Sequence, residues 1–216
     1  AAVAEIAKKH GLLVIVDNTF YTPLLQRPLD LGADIVVHSA TKYLGGHNDL
    51  LAGAVVTNNK ALGEQLAFQL NTAGGTLDAF DCWILVRGMK TLPLRMKQHQ
   101  ANAQAVVAYL ESEKLIKSVY YPGKGGMLSF TLHDKATIPV VLDALNIFTF
   151  AESLGGVESL ITYPTTQTHA DIPIEVRESY GLTDDLLRIS TGIEDADDLI
   201  ADLRQAFAKA AVTAIV

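Results

Sequence analysis

The segment from Ala33 to Gly46, ADIVVHSATKYLGG, constrains the fold of this chain more than any other stretch. Its residues 35–37 are apolar and β-branched, which favours a strand buried on both faces of a parallel sheet. Polar residues begin abruptly at His38 and lead to Lys42 and a glycine pair. Because sites in open α/β sheets lie beyond the carboxyl ends of the strands, Lys42 is predicted to lie in a crevice there.

Lys42 and the hydroxyl residues before it suggest a particular chemistry. Burial lowers the pKa of a lysine ammonium group, and the neutral amine can attack a carbonyl to form a Schiff base. Ser39 and Thr41, two residues apart, offer hydroxyl donors suited to a phosphate. A surface lysine in a glycine-rich turn is the alternative for Lys42 considered alone. An imine-forming lysine beside a phosphate site indicates pyridoxal phosphate (PLP).

Asp17 adds a second constraint. It ends the apolar run 12–16, which predicts another buried parallel strand, and it lies 25 residues before Lys42. That gap accommodates one crossover connection, so neighbouring strands could direct both side chains into one crevice. A carboxylate beside the pyridine nitrogen of PLP keeps it protonated and makes the ring an electron sink. A role as a turn or capping residue is the alternative for Asp17 alone.

Three motifs together resemble a known family: VDNT at 16–19, SATKY at 39–43 and GGH at 45–47. They are similar to the Cys/Met-metabolism family of PLP-dependent enzymes, which includes cystathionine γ-synthases, γ-lyases and β-lyases and O-acetylhomoserine sulfhydrylases. The resemblance covers essentially the whole chain. It implies that Lys42 is catalytic and forms the Schiff base with PLP, that Asp17 contacts the pyridine nitrogen, and that Ser39 and Thr41 bind the phosphate.

The resemblance also implies the fold class: α/β, the C-terminal part of a fold-type I PLP-dependent transferase. Residues 1–92 would form the C-terminal part of the large, mostly parallel-sheet PLP-binding domain. Residues 93–216 would form a linking helix and a smaller α+β domain. Because the sequence opens within a βαβ pattern and members of the family are longer, we expect a fragment of such an enzyme.

Hydrophobic spacing predicts the individual helices and strands. Asp78 is expected to cap the helix 79–90, whose aromatic residues and Cys82 are expected in the core, whereas His99 is expected to be solvated or capping. The predicted helices are 1–10, 60–70, 79–90, 92–110, 138–146 and 194–212, and the later predicted strands are 51–56, 119–121, 127–132, 148–151, 159–163 and 186–190.

Arg188 is the main candidate in the second half of the chain. It lies within an apolar strand, where a guanidinium group needs an anionic partner and fits a carboxylate bidentately. An internal ion pair with Glu194 or Asp195 explains it equally well. The resemblance implies that Arg188 binds the α-carboxylate of the substrate, with help from Ser153.

Glu152 bears on specificity. The matching position is commonly glutamate in γ-type members of the family and aromatic in β-lyases. A carboxylate there could receive the distal ammonium of cystathionine or orient the γ-substituent, and a solvated charge is the alternative. The resemblance thus implies PLP-dependent γ-replacement or γ-elimination on activated homoserine or cystathionine, in methionine and cysteine metabolism. Cystathionine β-lyase and a non-catalytic fragment are the alternatives.

Bulk properties narrow the partners further. The 216 residues are 49% apolar and carry a net charge of −7, which argues against nucleic acid or an anionic membrane as a partner. The single cysteine fits a reducing cytoplasm, and no spacing of histidine or cysteine indicates a metal. We therefore expect a cytoplasmic protein without nucleic-acid or membrane partners. The resemblance implies small amino-acid substrates and a homo-oligomer, a tetramer built from dimers.

Overall fold

The structure is a computed structural model that describes residues 1–213. The chain forms two compact units, which we call unit 1 (residues 1–93) and unit 2 (from Leu94 onward). The boundary falls within one long helix, α5 (Leu92–Ser112). Each unit contains its own β-sheet, so each is described by itself.

Unit 1 is built on a three-stranded sheet. Strand β1 (Ile15–Asp17) pairs in parallel with β2 (Ile35–Ser39), and β2 pairs antiparallel with β3 (Gly53–Val56). This arrangement confirms the predicted α/β class and the two parallel strands that precede Lys42. The helices are α1 (Ala2–Lys9), α2 (Thr22–Leu25), α3 (Lys60–Ala73) and α4 (Ala79–Met89), with a 3₁₀ turn at Pro28–Leu31.

The register of β1 and β2 brings their carboxyl ends side by side. Asp17 lies opposite Val37, and the Asn18 N–H continues the pairing by donating to the Val37 carbonyl at 2.9 Å. Because side chains alternate along a strand, Asp17 and Ser39 face the same side of the sheet and His38 faces the other. The side chains of Asp17 and Ser39 therefore lie on the same face of the sheet, at the carboxyl ends of β1 and β2.

The helix ends follow local rules. Asp78 caps α4 as predicted, since its Oδ1 accepts the Asp81 N–H at 2.8 Å. Asn59 caps α3 in the same way, accepting the Leu62 N–H at 3.2 Å. Helix α3 runs beyond the predicted residue 70 and stops where Gly74 adopts a left-handed conformation with φ of 72°.

Burial in unit 1 is lower than the sequence predicts. Ile15 of β1 is 62% exposed, and Phe80 and Trp83 of α4 are 65% and 59% exposed. Cys82, expected as a buried filler, is also exposed. The predictions assumed a sheet covered on both faces, whereas β1 pairs on one side only and the described elements leave these side chains open to solvent.

Unit 2 contains a second sheet and several helices. Its elements after α5 are β4 (Ile116–Tyr120), β5 (Met127–Leu132), α6 (Ile138–Ala144), β6 (Thr149–Phe150), β7 (Leu160–Thr162), α7 (Ile174–Ser179), β8 (Leu186–Ser190) and α8 (Ala196–Thr213). The five strands lie in the order β4-β5-β8-β7-β6, in which β6 and β7 are parallel and the other pairs antiparallel. Helices α5, α6 and α8 share one hydrophobic core with this sheet, centred on Phe130, Ile189 and Phe207.

Every predicted element of unit 2 is present, with ends that coincide with the predicted ones or differ by a few residues. The short helix α7 was not predicted, because its six residues are fewer than two turns of an apolar repeat.

Within residues 1–213, no helix is both long and apolar enough to cross a membrane. The same residues contain no group of three or more histidine, cysteine, aspartate or glutamate side chains placed to hold a metal ion.

His99 corrects a prediction: it is fully buried rather than solvated. Its Nδ1 donates to the Thr191 carbonyl at 2.7 Å, and the Thr191 hydroxyl donates to the His99 carbonyl at 2.9 Å. Burial lowers the pKa of His99 to about 4, against an opposing effect of the bond to Thr191. The burial of His99 could not be predicted from the sequence because its hydrogen-bond partner, Thr191, lies 92 residues away.

We expect the His99 ring to make stability depend on pH. Between pH 6.5 and about 4, the unfolded chain takes up a proton that the folded ring does not bind, so the free energy of unfolding falls as pH falls. The whole window is worth on the order of 3 kcal/mol. Urea unfolding across it should show a flatter pH profile for His99→Gln than for the wild type. The exposed His10→Gln should keep the wild-type slope, and parallel profiles for all three proteins would contradict this account.

Candidate active site

Asp17 is held as a carboxylate at the end of β1. Hydrogen bonds from the Thr19 hydroxyl and the Thr19 N–H lower the pKa of its carboxyl below the ordinary value, and they outweigh the opposing effect of partial burial. The N–H bond to Asp17 Oδ1 is 2.9 Å long. An acid that stays ionised is the group needed to keep a nearby heteroaromatic nitrogen protonated.

Thr19 joins the ends of the two parallel strands. Besides bonding to Asp17, its hydroxyl accepts the Ser39 N–H at 2.7 Å. Thr19 lies in the VDNT motif, which by itself predicts no role for the threonine. The position of Asp17 at the end of a predicted strand is a signal for this contact. An aspartate there commonly accepts the backbone N–H of the residue two positions later, in an Asx turn.

Lys42 lies in a compact turn that follows β2, as predicted. The Gly45 N–H donates to the Ala40 carbonyl and the Gly46 N–H to the Lys42 carbonyl, both at 2.8 Å. Gly46 adopts φ of 77°, a conformation that favours glycine. Lys42 is half-buried. The turn therefore fixes the lysine backbone just past the end of the strand.

The Thr41 hydroxyl is hydrogen-bonded to both backbone polar groups of Ala52. Its Oγ1 accepts the Ala52 N–H at 3.0 Å, and the Ala52 carbonyl lies at 3.3 Å. The second contact is long for a hydroxyl hydrogen bond, so an anion oxygen could replace the carbonyl as acceptor. Ser39, half-buried at the end of β2, shares a face with Asp17.

Helix α4 packs its backbone directly against the turn that carries Lys42. A Cβ built on Gly88 would lie 2.3 Å from the Gly45 carbonyl oxygen, closer than real contacts allow. The glycine at 88 thus permits a helix-to-turn approach that no other residue permits, and this approach holds the turn in place.

Gly88→Ala is therefore expected to destabilise unit 1 by about 1–3 kcal/mol, because backbone must move to admit the methyl group. Gly63→Ala in α3 is the control, since a Cβ there meets Thr57 Cγ2 at an ordinary 3.7 Å. The control should gain up to about 1 kcal/mol in urea unfolding. Equal stability of the two variants would disprove the tight contact.

Arg188 and Ser153 are brought together in unit 2. Arg188 lies in β8, and its Nη2 donates to the Ser153 carbonyl and to the Thr162 hydroxyl, both at 3.2 Å. Ser153 adopts φ of 88°, an uncommon conformation for a residue with a side chain. Thr162 was not singled out from the sequence, because only the pairing of β7 with β8 places it opposite Arg188.

The two acidic candidates for an ion pair with Arg188 have other bonds. Both carboxylate oxygens of Glu194 accept hydrogen bonds from Ser159, and Asp195 Oδ1 accepts the Asp197 N–H at 2.9 Å. Glu152 is exposed and directly precedes Ser153. The candidate residues thus form two groups, with Asp17, Ser39, Thr41 and Lys42 in unit 1 and the other three in unit 2.

Comparison with known proteins identifies the family. The profile of the Cys/Met metabolism PLP-dependent enzyme family matches residues 1–208. The cystathionine gamma-synthase/O-acetylhomoserine (thiol)-lyase of Bacillus subtilis is 63% identical over 94% of this chain and 55% of its own length. The cystathionine gamma-synthase of Haemophilus influenzae is 57% identical over 95% of this chain and 56% of its own length. The chain belongs to the Cys/Met metabolism PLP-dependent enzyme family.

A solved structure agrees in fold. The cystathionine gamma synthase of Xanthomonas oryzae pv. oryzae, in complex with cystathionine, superposes with a TM-score of 0.95 at 44% identity. The match covers 98% of this chain and 59% of that one. The chain therefore spans somewhat more than half the length of the relatives it matches.

Proposed function

We propose that the protein carrying this chain catalyses PLP-dependent γ-replacement or γ-elimination on activated homoserine or cystathionine, in methionine and cysteine metabolism. One observation carries this proposal. The ionised Asp17 and the Ser39–Thr41–Lys42 group lie at the adjacent carboxyl ends of two parallel strands. The name of the B. subtilis relative, 63% identical, supports the γ-type reaction.

The residues of unit 1 fit PLP group by group. The half-buried Lys42 supplies the amine that would hold the aldehyde covalently. Asp17 supplies a carboxylate for the ring nitrogen, and Ser39 and Thr41 supply hydroxyl donors for the phosphate. When bound, PLP supplies an electron sink conjugated to the amine of the substrate. Roles for these four residues are part of the proposal.

Lys42 would then act on protons. When free, its amine would remove the proton from Cα of the substrate. After giving that proton up, the same amine, on a flexible four-carbon stem, would be able to remove a proton from Cβ. These two transfers prepare the γ-substituent to leave. A thiol then adds at Cγ in the replacement reaction, or water releases an oxo acid and ammonia in the elimination.

The residues of unit 2 would recognise the substrate. Arg188 presents a guanidinium fork suited to the α-carboxylate, and the bond from its Nη2 to the Ser153 carbonyl fixes the orientation of that fork. The exposed Glu152, next to Ser153, would receive the distal ammonium of cystathionine or orient the γ-substituent. This reading favours γ-chemistry over the β-elimination of cystathionine.

Product analysis tests the proposed reaction. The protein, loaded with PLP, is incubated with O-acetylhomoserine plus cysteine and, separately, with cystathionine. We expect cystathionine from the first mixture, or cysteine, 2-oxobutanoate and ammonia from the second. Homocysteine with pyruvate from the second mixture would instead identify a β-lyase. No product from either mixture would favour a non-catalytic role.

Two further properties belong to the proposal. We infer a homo-oligomer, a tetramer built from dimers, which the family resemblance supports. We also infer a cytoplasmic location, which the single cysteine supports. Light scattering coupled to size-exclusion chromatography measures the mass directly. A monomeric mass across the working concentration range would contradict the oligomer.

A further inference from the structure

The segment that carries Ser153, residues 151–159, has an unusual pattern of anchoring. It connects β6 to β7, and its alternate residues are hydrogen-bonded to β7, to β8 or to the loop that follows β8. The bonds join Ala151 O to Thr162 Oγ1 (2.9 Å), Ser153 O to Arg188 Nη2 (3.2 Å), Gly155 N to Ser190 Oγ (2.9 Å), Val157 O to Ile193 N (2.8 Å), and Ser159 to Glu194.

The last of these anchors is the strongest. Glu194 accepts the Ser159 N–H at 2.6 Å on one carboxylate oxygen and the Ser159 hydroxyl at 2.9 Å on the other. Ser159 is fully buried, and its hydroxyl oxygen also accepts the Gly192 N–H at 2.8 Å. Hydrogen bonds to an ionised acceptor are shorter and stronger than those between neutral groups. The carboxylate thus fixes the end of the segment.

The backbone around Glu194 is held independently of its side chain. Asn102 of α5, itself buried, donates through Nδ2 to the Gly192 carbonyl at 3.0 Å and to the Glu194 carbonyl at 2.8 Å. At Gly192 a Cβ would lie 2.2 Å from the Val157 carbonyl oxygen, so the loop and the segment are in direct backbone contact. Changing the Glu194 carboxylate therefore alters its bonds to Ser159 and leaves the loop attached to α5.

Ser153 shows why such anchoring is needed. Its φ of 88° is a conformation that residues with side chains rarely adopt, and it persists only where neighbouring contacts impose it. In that conformation its carbonyl accepts the bond from Arg188. Loosening the segment would let Ser153 relax and would remove one of the contacts that orient the guanidinium fork.

We propose that Glu194 is a positioning residue for recognition of the substrate α-carboxylate, acting through Ser159 and the segment 151–159 on Ser153 and Arg188. The inference rests on the proposed function in one respect, that Arg188 receives this carboxylate. It adds a residue outside the set proposed above to bind the substrate or the cofactor. The structure assigns Glu194 this role in place of the ion pair with Arg188 that the sequence left open.

Glu194→Gln tests the proposal in the PLP-loaded protein that carries this chain. Glutamine keeps the size and one acceptor, but its amide nitrogen cannot accept the Ser159 hydroxyl. We expect KM for the amino-acid substrate to rise about tenfold, kcat to stay within about twofold and the visible absorbance of the lysine-bound cofactor to be unchanged. Glu178→Gln, on the exposed face of α7, makes the same chemical change elsewhere in unit 2 and should behave as the wild type.

Two inhibitors separate positioning from general loosening. Glycine carries an α-carboxylate and methylamine does not. In Glu194→Gln the inhibition constant of glycine should rise about tenfold, while that of methylamine stays within about twofold. Ser159→Ala removes the hydroxyl that donates to the Glu194 carboxylate and should give the same selective loss. Because the two residues act as a unit, the double variant should lose little more than either single variant.

The outcomes distinguish this inference from the proposed function. Unchanged glycine inhibition in both single variants of an active protein overturns the inference alone, and so does equal weakening of glycine and methylamine. Should Glu194→Gln fail to fold, Ser159→Ala decides the matter by the same two inhibition constants. A wild type with neither turnover nor cofactor absorbance overturns the proposed function, and the inference with it.

Discussion

Lys42→Ala should abolish turnover and the visible absorbance of the lysine-bound cofactor. The substitution removes the covalent attachment point and the amine that transfers protons at Cα and Cβ. Loss of a positioned general base alone costs about 10²–10⁴-fold in rate, and loss of the attachment adds to it. Steady-state kinetics and an absorbance spectrum of the PLP-reconstituted protein measure both effects.

Two controls make this result specific to Lys42. Lys90→Ala removes an exposed lysine at the end of α4 in the same unit and should leave both the rate and the spectrum unchanged. Circular dichroism should show that Lys42→Ala folds as the wild type does. Substantial turnover by a folded Lys42→Ala protein would contradict the proposed mechanism at its centre.

Arg188→Ala should raise KM for the amino-acid substrate by about 100-fold. Truncating one side of a hydrogen-bonded charge pair costs roughly 2–5 kcal/mol, and 1.4 kcal/mol corresponds to a factor of ten. Arg188→Lys keeps the charge but loses the fork that fits a carboxylate, so we expect an intermediate rise of about tenfold. Initial rates over a range of substrate concentrations measure both values.

Arg204→Ala is the matched control for this series. Arg204 lies on α8 with its guanidinium 5.5 Å from the centre of the Tyr109 ring, and its side chain is exposed. Its removal should leave KM within about twofold of the wild type. If Arg188→Ala kept a normal KM but unfolded at lower urea concentration, Arg188 would be a structural residue rather than a binding one.

The sequence was most informative where the chemistry is local. The spacing of Asp17 and Lys42 predicted two parallel strands with adjacent carboxyl ends, and the structure confirms that arrangement. The contacts that support the site join residues that are far apart in the sequence. Thr19 reaches Ser39 across 20 residues, and Glu194 reaches Ser159 across 35. No periodicity links such residues, because only the folded sheet brings them together.

Burial was the least predictable property. The apolar runs of β1 and α4 predict buried side chains because a strand or helix with that composition is usually covered. Ile15, Phe80 and Trp83 are nevertheless exposed in the described chain. The prediction for His99 is wrong in the opposite direction. Its polar neighbours on α5 favour a solvated side chain, but the ring is buried and donates to the Thr191 carbonyl. Sequence pattern shows which side chains can be buried, and packing partners decide which are.

Borohydride trapping tests the central claim, that Lys42 holds the cofactor, most directly. Borohydride reduces the Schiff base between PLP and its lysine to a stable amine, and peptide mass mapping then locates the modified residue. The account predicts the added mass on the peptide that contains Lys42, and its loss when substrate is added before reduction. Modification of a different lysine, or catalytic turnover without any trapped lysine, would contradict it.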